Sequence, residues 1–156
     1  MPNLIVPTIV RSFHNIFTNI WVGGMLAMVI SVLPSIRKEI KDPNTQGRLM
    51  DKILILQSRW VYLGIIILSV TGILMARLSG QGIGLFDFSN TYATILSIKH
   101  LLVILMTLIA VIRSIVFRKA ASSMNKNKKK VSMALLMTNT VLGLAVLVLS
   151  SINTIL

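Results

Sequence analysis

The 156-residue chain contains no cysteine, which excludes disulfides, thiolate metal sites and Cys-ligated iron–sulfur clusters. Acidic residues are almost as scarce: 4 Asp and Glu stand against 16 Lys and Arg, and His occurs only twice. Charged residues make up 13% of the sequence, about half the ~25% usual in a soluble domain. So small a polar supply cannot cover a globule in water, and an ordinary soluble domain is excluded. The four acids, Glu39, Asp42, Asp51 and Asp87, all fall between apolar runs. No embedded carboxylate is left to act as a general base or to orient an imidazole, which disfavours hydrolysis and group transfer. No catalytic residue is assigned, and the balance is against an activity of this chain's own.

What is present is apolar length. Hydrophobic residues reach 54%, and the mean hydropathy is +0.83. A helix crosses a bilayer in about 20 residues, and four stretches suffice: 7–36, 53–77, 91–117 and 131–153. Strand alternation is absent, and an open sheet could not satisfy its backbone in lipid. The expected fold is all-α: one integral membrane domain over 1–156, a four-helix up-down bundle with the lipid bilayer as its first partner.

The connections carry opposite charge. Arg37, Lys38, Lys41, Arg48 and Lys52 lie between the first two spans. Arg118, Lys119, Lys126, Lys128, Lys129 and Lys130 lie between the last two, whereas Leu78–Asn90 holds neither Lys nor Arg. The positive-inside rule puts the first and third connections in the cytoplasm and both termini outside, as expected of a multi-pass cell-membrane protein. Lys126, Lys128, Lys129 and Lys130 then read as topology anchors beside anionic lipid, not as a nucleic-acid site. The N-terminal apolar run is too long for a signal peptide. Asp42-Pro43-Asn44 is expected to turn, Pro34 to kink or stop the first helix, Ser79–Gly84 to form a flexible turn, and Ser89 or Asn90 to cap the third helix.

His14 and His100 carry the functional signal. Histidine in a membrane helix is costly and points to a bundle interior or polar pathway. The first and third helices of an up-down bundle run parallel, and both His lie two to three turns in from the outer side. The two rings are therefore expected at one level, able to share one metal ion or to hold one haem iron from both faces. At 100° per residue, Thr18, Trp21, Met25, Met28 and Val32 share the His14 face. Ile104, Thr107, Val111 and Ser114 share that of His100. Gly23 and Gly24 lie off the seam, where another helix could pack closely; Thr138, Asn139, Thr140 and Gly143 are the interior candidates of the fourth helix. Ser97 is expected to bond its own helix backbone. Arg11, Arg77 and Lys99 gather at the histidine level as candidate anion or haem-propionate partners, which favours haem over a bare copper ion. Met25 and Met28 lie three to four turns deeper and read as packing.

His14-x6-Trp21-Val22-Gly23-Gly24, together with Lys99-His100-Leu101-Leu102 and Arg113, resembles the copper-resistance D (CopD-like) membrane domain over nearly the whole chain. The resemblance implies copper handling across a membrane, with His14 as the ligand candidate. The chain has four helices where long members of that family have about eight, so an oligomer or an accessory role fits it better than a complete pathway. The same pattern resembles HemJ-type protoporphyrinogen oxidases more loosely, which implies haem and tetrapyrrole oxidation. Three readings stay open. One is a module binding copper or haem b through His14 and His100, as a homo-oligomer or as a subunit of a larger membrane complex such as a copper-dependent monooxygenase. Another is a small b-type haem electron-transfer or tetrapyrrole-oxidising protein, and the third a structural subunit with no site.

Overall fold

Apolar sequence in the absence of water leaves helix as the way to satisfy the backbone within each segment, and helix is what forms. A computed structural model describes residues 4–78, 86–118 and 126–152. The elements are α1 (Ile5–Ala27), a π-helical turn (Met28–Val32), α2 (Leu33–Glu39), α3 (Pro43–Leu78), α4 (Thr91–Arg118) and α5 (Lys126–Ile152). The Ser79–Gly84 turn and the Lys126 side chain lie outside the described residues.

Pro34 neither stops nor sharply ends the first span. It lacks an N–H, and its ring would crowd the carbonyl four residues back. The preceding turn widens instead, and the Leu33 N–H bonds the carbonyl of Met28, five residues back. Helix then resumes to Glu39, where Ile40 turns extended.

Helix starts correct the expected boundaries. Asp42-Pro43 is not a free turn but the beginning of α3, ten residues before position 53. The Asp42 carboxylate accepts from the Thr45 N–H at 2.9 Å and the Thr45 hydroxyl at 2.6 Å. Proline at the first helical position gives up an N–H that would be unpaired anyway. These carboxylate contacts hold the Asp42 pKa below the ordinary carboxylate value, with the Thr45 hydroxyl contributing most. Asn90 caps α4 as expected, its side-chain oxygen accepting from Ala93 N–H at 2.8 Å. The lysine tract belongs to the opening of α5 rather than to the connection before it.

The bundle closes as a ring. α1 packs on α3, α3 on α4, α4 on α5 and α5 on α1. Cross-helix neighbours fix the directions: His14 near the start of α1 meets Thr71 near the end of α3, while Gly47 near the start of α3 faces Lys129 near the start of α5. Trp21, Val22, Met25, Met28, Leu33, Met106, Leu136 and Val146 form the core. Gly143 is its closest approach: a Cβ there would stand 3.1 and 3.2 Å from the two Val22 methyls and 3.3 Å from Met106 Cε.

Outward, the bundle is apolar. Ile30 is 68% exposed, Ile115 67%, Val141 65% and Ile66 62%, a surface that water would not tolerate over four helices. Four described helices are long and apolar enough to cross a membrane, and the protein is a multi-pass membrane protein. Hydroxyls inside these spans bond back to their own helices: Thr18 to the His14 carbonyl, Thr107 to Val103 and Thr140 to Leu136.

Two seam expectations are corrected. Gly23 and Gly24 are exposed, with open space where a Cβ would stand, so neither admits a helix among the described residues; Gly143 does that work. Ile104 is 49% exposed and Thr138 also faces outward, because the interior of α4 runs through Ala93, Ser97, Met106 and Ser114 and that of α5 through Asn139, Thr140 and Gly143.

Candidate functional site

Positions 14 and 100 are each the tenth residue of a helix, counted from Ile5 in α1 and from Thr91 in α4. At 1.5 Å rise per residue, both imidazoles stand ~13.5 Å from the starts of parallel helices. α1 and α4 occupy diagonal places in the ring, with α3 between them on one side. His14 and His100 are both half-buried. His14 and His100 thus stand at the same count along diagonal helices.

Sequence reasoning missed the residue that orients His14. Thr71 on α3 is 8% exposed, and its Oγ1 lies 2.9 Å from His14 Nδ1. The Thr71 hydroxyl donates to the Ile67 carbonyl at 2.7 Å. Its oxygen is then free to accept, and in a neutral ring this geometry favours Nδ1–H as the donor. Nε2 keeps its lone pair, the state a ligating or proton-accepting imidazole needs, with the other nitrogen held by a second residue. The signal was present: Thr71 interrupts an apolar run seven residues before the end of α3 at Leu78, the depth of a His near the start of an antiparallel neighbour. Against the same ring, a Cβ at Gly72 would stand 3.9 Å from Cε1, so the imidazole lies close on α3.

The other expected members stand further out. Arg11 and Arg77 are exposed on α1 and α3, and Lys99 is half-buried. None makes an ion pair or hydrogen bond with the described residues. Trp21 is 5% exposed, with its indole N–H buried and unpartnered. Among the described residues, no group of three or more His, Cys, Asp or Glu could hold an ion. Met25 and Met28 are core residues, too deep along α1 to complete a sphere with His14.

Ser97 departs from expectation. It is 1% exposed and bonds not its own helix but the loop before it: its hydroxyl donates to the Asp87 carbonyl and accepts the Asp87 N–H, both at 2.8 Å. This reciprocal pair straps residue 87 to α4 beside the histidine level. Asp87 itself accepts from the Ser89 N–H at 2.9 Å, which holds its pKa below the ordinary carboxylate value.

A second polar layer lies toward the other end. Gln57, Arg113, Ser114 and Asn139 surround a cavity of about 10 Å³. The Gln57 amide, the Ser114 hydroxyl and the Asn139 carbonyl oxygen are buried there without partners among the described residues. Of these, the sequence reading singled out Ser114, Asn139 and Arg113, and missed Gln57. No known protein family, curated protein or solved structure matches this chain.

Proposed function

We propose that this multi-pass membrane protein is a binding module in which His14 and His100 jointly hold one occupant, haem b in preference to copper. The observation that carries the reading is the 2.9 Å contact of His14 Nδ1 with Thr71 Oγ1, a hydroxyl already directed at the Ile67 carbonyl, together with the matching place of His100 on the diagonal helix; in a neutral ring this arrangement favours Nδ1–H and leaves Nε2 able to ligate. Thr71 acts as the positioning residue. Lys99, Arg11 and Arg77 supply positive charge at that end, suited to the two propionates of a haem and unhelpful to a bare cation. Two imidazoles that form no group of three with other His, Cys, Asp or Glu among the described residues would also suit haem, which needs no more than two protein ligands, better than a multidentate copper site. When bound, the haem would supply one-electron chemistry; the chain's own groups bind and orient it. The resemblance of His14-x6-Trp21 and Lys99-His100 to CopD-like domains agrees with a ligating His14, and leaves copper as the alternative occupant.

The test is the visible spectrum and metal content of the protein purified in mild detergent. A Soret band of bis-imidazole type, lost in His14→Ala and in His100→Ala, is the expected result. Thr71→Val should keep the fold but lower haem retention by ~10–100-fold, as loss of an orienting partner does. A colourless protein with stoichiometric copper would replace haem by copper. Full occupancy in His14→Ala would end the joint-site reading.

A further inference from the structure

A sizeable cavity lies away from the histidines. A crevice of about 530 Å³ opens at the opposite, basic end, bounded by α2, the first turns of α3 and α5, and the last turns of α4. That size falls in the ~300–1,000 Å³ range of small-molecule sites. Arg37, Arg113, Lys129 and Lys130 line it against a single carboxylate, Asp51. Leu33, Met50, Leu54 and Met137 form its apolar wall.

Three further features mark it as a site for an anion. Arg113 is half-buried and makes no ion pair or hydrogen bond with the described residues. Ser114 lines both this crevice and the small polar cavity beyond it, is only 7% exposed, and has its hydroxyl unpartnered. The crevice also receives the N-terminal turn of α5, the end of a helix that carries partial positive charge. That turn holds lysines and no acid, so its charges repel one another and the helix end until an anion arrives. Asp51 attracts Lys129 without closing an ion pair.

We infer that this crevice binds one anionic phospholipid, its phosphate among Arg37, Arg113, Lys129 and Lys130 and the start of an acyl chain along Leu33, Met50, Leu54 and Met137. Cations and apolar wall in one cavity fit an amphiphile rather than a small soluble anion. Met137, 49% exposed at the rim, offers the chain an apolar way out to the bilayer. Binding here is distinct from the diffuse attraction of a basic segment to a charged surface, because the half-buried Arg113 and the buried Ser114 both line the crevice.

Delipidated protein in neutral detergent tests this by thermal melting and native mass spectrometry. The probes are phosphatidylglycerol, phosphatidylcholine and inorganic phosphate. Phosphatidylglycerol should raise the melting temperature and remain bound at one per chain; the other two should do neither. Arg113→Gln should weaken the phosphatidylglycerol effect about tenfold or more. Should that variant not fold, Lys129→Gln with Lys130→Gln decides, both side chains being exposed; it too should weaken the effect about tenfold. Equal protection by phosphatidylcholine, equal protection by inorganic phosphate, or an unchanged response in the lysine pair would overturn the inference.

Discussion

Gly143 on α5 allows a sharp test of the packing that holds the bundle. In lipid the apolar transfer term between helices is nearly absent, and close van der Waals contact carries association. Gly143→Ala puts a methyl 3.1 and 3.2 Å from the Val22 methyls and 3.3 Å from Met106 Cε, where ordinary carbon contacts sit at ~3.5–4.0 Å. Met106 can move its terminal methyl. Val22 cannot: it is β-branched, 2% exposed, and held to one rotamer in a helix, so α1 and α5 must part by a few tenths of an ångström. Helix propensity favours alanine by about 1 kcal/mol, while overpacking costs about 1–3 kcal/mol. The net expectation is a loss of about 1 kcal/mol. Val22→Ala alone should destabilise by leaving a gap, yet in the Gly143→Ala background that gap receives the new methyl. A double-mutant cycle of unfolding in mixed micelles should therefore show favourable coupling of about 1–2 kcal/mol. A more stable Gly143→Ala, or strictly additive effects, would refute the account of this seam.

Two other perturbations test the loop and the helix start. Ser97→Ala removes both bonds to the Asp87 backbone and should cost about 1–3 kcal/mol; hydrogen exchange should accelerate at the Asp87 amide, and unchanged protection would count against the strap. Asp42 and Asp87 both have folded pKa values below the ordinary one. Their contribution to stability is present above the unfolded carboxylate pKa and is lost as pH falls through the lowered folded value. Melting temperature should therefore fall in that acid range, and Asp42→Asn, which keeps a capping oxygen but cannot ionise, should flatten part of the decline.

The class of the protein was legible because it follows from bulk properties: apolar length and scarce charge leave helices in lipid as the available answer. The places of His14 and His100 along their helices follow from the helix starts, each being the tenth residue of its element. Orientation around each helix was less legible. The 100° rule placed Trp21, Met25 and Ser114 inward, but Ile104 and Thr138 lie outward, and Gly23–Gly24 faces open space while Gly143 carries the close approach. Small residues look alike in sequence whether they receive a neighbour or merely face away from one. Boundaries failed where polar sequence continues a helix: Pro43–Lys52 is helical because Asp42 caps it and α2 packs against it, neither of which hydropathy registers. Thr71 and the Ser97–Asp87 pair were missed because each depends on a partner brought close by the fold.

The two polar layers stand apart, and this bears on what the bundle can do. From His14 to Met25 is eleven residues of α1, about 16 Å of helix. Between the histidine level and the Gln57–Arg113–Asn139 cavity lie Trp21, Val22, Met25 and Met106, each no more than 5% exposed, with Gly143 drawn in against them. A charged passenger crossing from one layer to the other would have to part this seam, whose apolar groups give a hard ion nothing to bind and whose Met25 and Met106 thioethers suit only a soft one. The two layers are separate features of the bundle, His14 with Thr71 in one and Arg113 with Ser114 and Asn139 in the other. Such packing parts the two layers along the bundle axis, so a substitution in one layer should leave the hydrogen bonds of the other unchanged.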